Sequence, residues 1–257
     1  MKAGKIDEHS FIQKLGPDTR IVVLTGAGIS AESGIPTFRD AQDGLWSQFR
    51  PEELASPEGF RANPKLVFDW YAWRRKKVLE SKPNKGHEIL ALWGQQFPHM
   101  TLITQNVDGL HQAAGSQDLI EMHGSIHRLI CFKERHPSPW VAAKDGVPLC
   151  MRCQSPLRPD VVWFGEMLDR RILEHIGKAL ANCEVFLAIG TSGLVYPAAG
   201  FLDEARASGA LTVVINRERV GEDRCDLLLQ GSASDILQRL QDSIQARHVF
   251  KVSSRAR

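Results

Sequence analysis

Residues Thr104 to His111 read Thr-Gln-Asn-Val-Asp-Gly-Leu-His and follow an apolar run directly. Polar loops at the ends of buried strands are where function gathers. Asn106 and Asp108 suit a carboxamide, which offers donors and acceptors together. Gln105 suits hydroxyl groups. His111 reads as a loop histidine that orders the turn. His123, which precedes Gly124, is the candidate general base, because histidine titrates near neutrality. Taken alone, a single His before Gly reads as structural.

A second cluster is Thr25-Gly26-Ala27-Gly28-Ile29-Ser30. Gly26 allows a sharp turn, and Gly28 lets the backbone approach a ligand that a side chain would block. A helix start beyond it offers N–H groups to a pyrophosphate. The third glycine, Gly34, comes six residues after Gly28 rather than three, so this loop alone reads equally well as a plain strand-to-helix turn. Gly190-Thr191-Ser192 and Asn216 end two further apolar runs. Three such ends place a nucleotide in the crevice of an open parallel sheet.

Cys150 and Cys153 form a C-x-x-C pair, with Cys131 nineteen residues before it. Two such pairs would spell a tetrahedral zinc site. Here Glu134 stands where the fourth cysteine belongs. Three readings remain: zinc on Cys131, Cys150 and Cys153 with His136, Glu134 or water as the fourth ligand, weak metal binding, or a lost site. Bound structural zinc is the favoured reading, and it would fix a segment too small for its own core. Cys183 and Cys225 read as small hydrophobes.

The fourth cluster is a row Val67, Tyr71, Arg74, Val78, which shares one helix face. A charge on an apolar stripe needs an anionic guest, a protein carboxylate or an exit to water.

Positioning these clusters calls for alternating strands and helices. Strands are expected at Arg20–Thr25, Met100–Thr104, Val161–Phe164, Val185–Ile189 and Leu211–Ile215. Helices are expected at Pro64–Ser81, Gly86–Phe97, Asp169–Asn182, Pro197–Ser208 and Ser234–Ala246. Asn63 caps the first of these, with Pro64 at its first position. Residues 1–34, 82–124 and 161–257 form a Rossmann-like parallel sheet with helices on both faces. Residues 35–81 form a helical insert. Residues 125–160 form a small zinc-binding module, loop-like and holding five prolines.

The 257 residues carry a net charge of +2, so bulk charge does not suggest nucleic acid or a membrane surface. No apolar run is long enough to span a bilayer, and Met1 to Ser10 lacks the character of a signal peptide. Five cysteines fit a reduced compartment, which makes the cytoplasm the expected location. Oligomeric state leaves no mark.

Gly26 through Asp40, Thr104 through His111, His123-Gly124 and Gly190-Thr191-Ser192 together resemble the sirtuin family, over about residues 18 to 240. The resemblance implies a Rossmann-like large domain, a small zinc-bearing domain and NAD as co-substrate. It implies NAD contacts from Gly26, Ala27, Gly28, Ser30, Phe38, Arg39, Trp46, Gln105, Asn106, Val107, Asp108, Gly190, Thr191, Ser192, Asn216, Arg217, Glu218 and Ala233. Phe38 and Arg39 would belong to a loop that closes over the cofactor. The catalytic set would be His123, Asn106 and Asp108. The acyl-lysine oxygen would attack the ribose carbon as nicotinamide leaves, with His123 taking a ribose hydroxyl proton. Products would be free lysine, nicotinamide and O-acyl-ADP-ribose.

Tyr71-Ala72-Trp73-Arg74 resembles the element of the sirtuin branch that removes succinyl and malonyl groups, with Tyr71 and Arg74 on the distal carboxylate. Acetyl is retained as a second substrate. Val162, Trp163, Phe164 and Gly165, facing Val195, match loops between which the acylated peptide lies as an added strand. Core packing is the other reading for Trp163 and Phe164. Two competing functions are an ADP-ribosyltransferase on the same NAD loops and a non-catalytic NAD-binding module. Tyr71 with Arg74 weighs against the first, and His123 with Asn106 and Asp108 against the second.

Overall fold

The computed structural model describes residues 5–35, 49–143, 146–193, 196–219 and 223–255. Its strands are β1 (Ile21–Thr25), β2 (Met100–Thr104), β3 (Leu119–Glu121), β4 (Gly124–Cys131), β5 (Pro137–Pro139), β6 (Leu157–Val161), β7 (Val185–Ile189), β8 (Leu211–Asn216) and β9 (Leu227–Gln230). Its helices are α1 (Glu8–Lys14), α2 (Ala27–Ser30), α3 (Pro51–Leu54), α4 (Pro57–Ala62), α5 (Pro64–Glu80), α6 (Lys85–Gln96), α7 (Leu110–Ala113), α8 (Arg170–Asn182), α9 (Ala198–Ala207) and α10 (Ala233–Arg255).

Six strands pair in parallel in the order β3-β2-β1-β7-β8-β9. The chain winds outward from β1 to one edge, then from β7 to the other. The order reverses between β1 and β7, and ligands of such sheets lie at that reversal, beyond the carboxyl ends of the strands. All five residues of β1 and all five of β7 are buried, because helices cover both faces.

Alternation along β1 divides the core. Ile21 and Val23 point to a layer with Phe11 of α1, Trp93 of α6 and Leu240 of α10. Val22 and Leu24 point to a layer with Leu180 of α8 and Phe201 of α9. Trp93 buries its ring fully, and its indole N–H donates to Gln241 Oε1 at 2.8 Å. Burial of that ring therefore leaves no polar atom stranded.

The segment 125–160 departs from a plain loop. β4, β5 and β6 form an antiparallel sheet in the order β5-β4-β6. The strand expected at Val161–Phe164 ends at Val161, and Phe164 begins a turn. Arg158, Pro159 and Asp160 make the true strand read polar, while Val-Val-Trp-Phe after it reads apolar. Arg158 is nonetheless 1% exposed. Against the small sheet, α4 and α5 pack Phe60, Val67, Trp70 and Tyr71 with Ile126, Val161 and Trp163. Asn63 caps α5 as expected, accepting from Leu66 N–H at 3.1 Å. Among the described residues, no helix is long and apolar enough to cross a membrane.

Candidate active site

The loops after β1 and β7 touch at the sheet reversal. Gly28 N–H donates to Gly190 O at 2.8 Å. A Cβ on Gly28 would lie 2.7 Å from Gly190 Cα, and one on Gly26 would lie 2.8 Å from Gly190 O. Gly190 itself has φ +60°. The glycines at 26 and 28 thus answer first to the neighbouring loop. The Gly28 N–H is taken by Gly190 O.

The polar cluster after β2 is wired into this floor. Asn106 Nδ2 donates to Gly26 O and to Ser30 Oγ, both at 3.1 Å. Ser30 Oγ donates to Asp108 Oδ2 at 2.7 Å, and Leu110 N–H donates to Asp108 Oδ1 at 3.0 Å. Gln105 Nε2 donates to Thr191 Oγ1 at 3.0 Å, and Asn216 Nδ2 donates to Thr191 O at 2.9 Å. Four strand ends, those of β1, β2, β7 and β8, therefore share one hydrogen-bonded network. His111 is 1% exposed beneath it, with Nε2 at 3.0 Å from Thr25 Oγ1. Burial pushes its imidazole down to about 3. His87, which sequence reasoning passed over, and Thr104, to which it gave no role, line the same layer through Ser30 and Thr25.

His123 sits between β3 and β4. Its Nδ1 lies 2.9 Å from Gln105 O. A carbonyl only accepts, so the ring proton is on Nδ1 and Nε2 keeps its lone pair. Burial lowers the imidazole below its ordinary value, opposed by that hydrogen bond. Gly124 has φ +79°, and a Cβ there would lie 2.1 Å from Asp160 O. Only glycine lets β4 close onto β6 directly after His123.

A cavity of about 470 Å³ joins these groups. Ala27, Ser30, Gln105, Asn106, Asp108 and His123 line it, with Val107 beside them. Tyr71, Arg74 and Val78, all from the expected row of α5, line it too, and Arg74 lies within the field of Asp108. Tyr71 is 1% exposed and accepts from Trp163 Nε1–H at 2.9 Å. Burial pushes its phenol up to about 12, with Arg74 pulling the other way. Arg74 is half-buried and lies 4.8 Å over the Trp70 ring. Val162, Trp163, Phe164 and Gly165 all reach the wall, as do Met167 and Tyr196. Trp163 is 2% exposed, so its ring packs in the core, whereas Phe164 is 51% exposed.

Other expected contacts sit at the rim or beyond it. Ser192, Arg217 and Glu218 are exposed, and Arg217 pairs with Glu32 at 3.4 Å. Ala233 is buried at the start of α10. Phe38, Arg39, Trp46 and Val195 lie outside the described residues.

In the small sheet, the ligating atoms of Cys131, His136, Cys150 and Cys153 all lie within 4.8 Å of one another. Tetrahedral zinc with Zn–S near 2.3 Å spaces its thiolates by about 3.8 Å. The set fits zinc, and His136 fills the place left by the missing cysteine.

The description of the Sir2 family matches residues 26–197. The chain belongs to the Sir2 family. An "NAD-dependent protein deacylase" of Aquifex aeolicus is 45% identical over 239 residues, covering 90% of this chain and 98% of that protein. One of the same name from Pyrococcus furiosus is 44% identical over 240 residues, covering 90% and 95%. A Sir2 homolog–NAD complex superposes with TM-score 0.88 at 37% identity, covering 96% of this chain and 97% of that one. A complex of Sir2 with a peptide and NAD+ gives TM-score 0.81 at 29% identity, covering 93% and 98%. The Sir2 match begins at Gly26, next to Ala27 of the cavity lining, and ends at Pro197 in the cavity wall.

Proposed function

We propose that this chain is an NAD-dependent protein lysine deacylase that removes succinyl, malonyl and acetyl groups. The acyl choice rests on one observation: Tyr71 and Arg74 share a cavity with His123. A guanidinium fork beside a protonated phenol favours a carboxylate-ended guest over a neutral one. The names of the relatives and the NAD complexes of the neighbours support the cofactor and the reaction class.

The geometry supports the following roles. Gly26, Ala27, Ser30, Gln105, Thr191 and Asn216 hold NAD at the sheet reversal. Asn106 and Asp108 meet its carboxamide. NAD supplies the ribose carbon that receives the acyl oxygen as nicotinamide leaves. His123 Nε2 takes a proton from a ribose hydroxyl. Phe164 and Val162 carry the peptide of a protein substrate, with acceptor and donor groups paired as in an added strand. Cys131, His136, Cys150 and Cys153 hold a structural zinc outside the cavity. The division into residues 1–34, 82–124 and 161–257, residues 35–81 and residues 125–160 follows these tasks, and the cytoplasm suits the free thiols. An ADP-ribosyltransferase has no use for Arg74, and a mere NAD-binding module has none for the His123 lone pair.

The test is mass spectrometry of acetyl-, malonyl- and succinyl-lysine peptides with NAD, alongside His123→Ala. The expected result is peptide-dependent nicotinamide release and O-acyl-ADP-ribose, reduced at least about 100-fold in the variant. Near-normal turnover by His123→Ala, or nicotinamide release without peptide, contradicts the reading.

A further inference from the structure

The acyl end of the cavity is backed by a chain of buried contacts that leads away from the substrate. Trp163 donates its indole N–H to Tyr71 Oη at 2.9 Å, across 92 residues of sequence. Glu166 accepts from the backbone N–H of Trp163 at 2.8 Å. The Arg158 guanidinium lies 4.0 Å from the indole centroid. Arg158 and Glu166 are themselves ion-paired at 2.5 Å. The indole is thus braced through its main chain and across its face. A stacked guanidinium at this distance favours the ring electrostatically.

An indole N–H only donates, so Tyr71 must accept here. A phenol oxygen carries one proton and bonds near its ring plane. With the indole on one side, the proton takes the other. Among the described residues the Tyr71 hydroxyl has no further partner, and it lines the cavity beside Arg74.

We propose that Trp163 is a positioning residue for acyl specificity: it fixes the Tyr71 hydroxyl as a donor toward an acidic acyl end. A carboxylate accepts from Tyr71 and Arg74 together. The methyl of an acetyl group accepts from neither. Burial holds the phenol protonated far above neutrality, so the donor persists at working pH. The inference rests on the acidic-acyl reading of the pocket.

The experiment compares Trp163→Phe, Tyr71→Phe and the double variant on succinyl- and acetyl-lysine peptides at saturating NAD. Phenylalanine keeps an aromatic body in the slot and removes the N–H. The succinyl-to-acetyl ratio of kcat/KM should fall about fivefold in Trp163→Phe, through the KM for succinyl peptide, as expected for one hydrogen bond. In the double variant the ratio should match that of Tyr71→Phe, because Trp163 acts through Tyr71. An equal loss on both peptides, or full additivity, overturns the role. Arg74→Met separates the two readings. If it removes the succinyl preference while Trp163→Phe leaves the ratio intact, the pocket stands and the Trp163 role falls. If the wild-type chain turns over no succinyl-lysine, both fall. Should Trp163→Phe not fold, the indole N–H resonance of Trp163 serves instead. It should move upfield in Tyr71→Phe, and an unmoved resonance overturns the proposal.

Discussion

Gly28 and Gly190 meet across the sheet reversal, the N–H of one donating to the carbonyl of the other at 2.8 Å. A Cβ on Gly28 would strike backbone, which cannot step aside as a flexible side chain would. Gly28→Ala should lower stability by about 1–3 kcal/mol, the range for overpacking, and weaken NAD binding with it. Urea unfolding and NAD titration check this. A stability change under about 0.5 kcal/mol would show that the two loops separate freely.

Arg74→Met keeps the length and apolar stem of the side chain and removes the fork. Turnover of succinyl-lysine peptide should drop by about 30-fold or more, the scale of a desolvated charge pair. Acetyl-lysine turnover should drop far less. Steady-state kinetics on both peptides decides, and equal losses would assign Arg74 to the scaffold.

His111 makes stability depend on pH. Its folded value, about 3, lies below the ordinary 6.5. The unfolded chain therefore takes the proton first as pH falls. The contribution of the neutral ring is complete above about pH 6.5. It is lost progressively as pH falls toward 3, at about 1.4 kcal/mol per pH unit. His87 and His123 are displaced in the same direction by burial and steepen the slope. Urea midpoints at pH 7, 6 and 5 should fall in order, and His111→Gln should shallow the trend. A flat profile in the wild-type chain contradicts it.

Protein purified without added zinc should carry about one equivalent, held by three thiols and His136. His136→Ala should lose zinc to a chelator at least about tenfold more readily, with a lower Tm. Well under one equivalent in the wild-type chain sinks the site, whatever the activity.

Where the sequence spoke clearly, local physics was enough. β1 and β7 are continuous apolar runs because both faces of the sheet are covered. The Asn63-Pro64 start of α5 is a local capping signal, and the row Val67, Tyr71, Arg74, Val78 follows from helical rotation. The polar ends after β1, β2, β7 and β8 were equally legible. What stayed hidden depends on partners far along the chain. β6 looks polar because its Arg158 is neutralised by Glu166 and covered by Trp163. β4 and β5 were masked by the prolines around them. His136 stood as one of several choices until folding drew it to the cysteines. The reason for glycine at position 28 lies on a loop more than 160 residues away.

The row on α5 carries a further consequence. The groups proposed to meet the acyl end, Tyr71 and Arg74, come from one helix, α5, while the proposed cofactor floor belongs to loops of the central sheet. The two halves of the proposed site therefore come from separate elements of the fold. Guest choice can drift, or be redesigned, by exchanging side chains at positions 71, 74 and 78, with the nucleotide machinery left as it stands. One scaffold of this kind can give rise to enzymes that share a chemistry and differ only in what they accept.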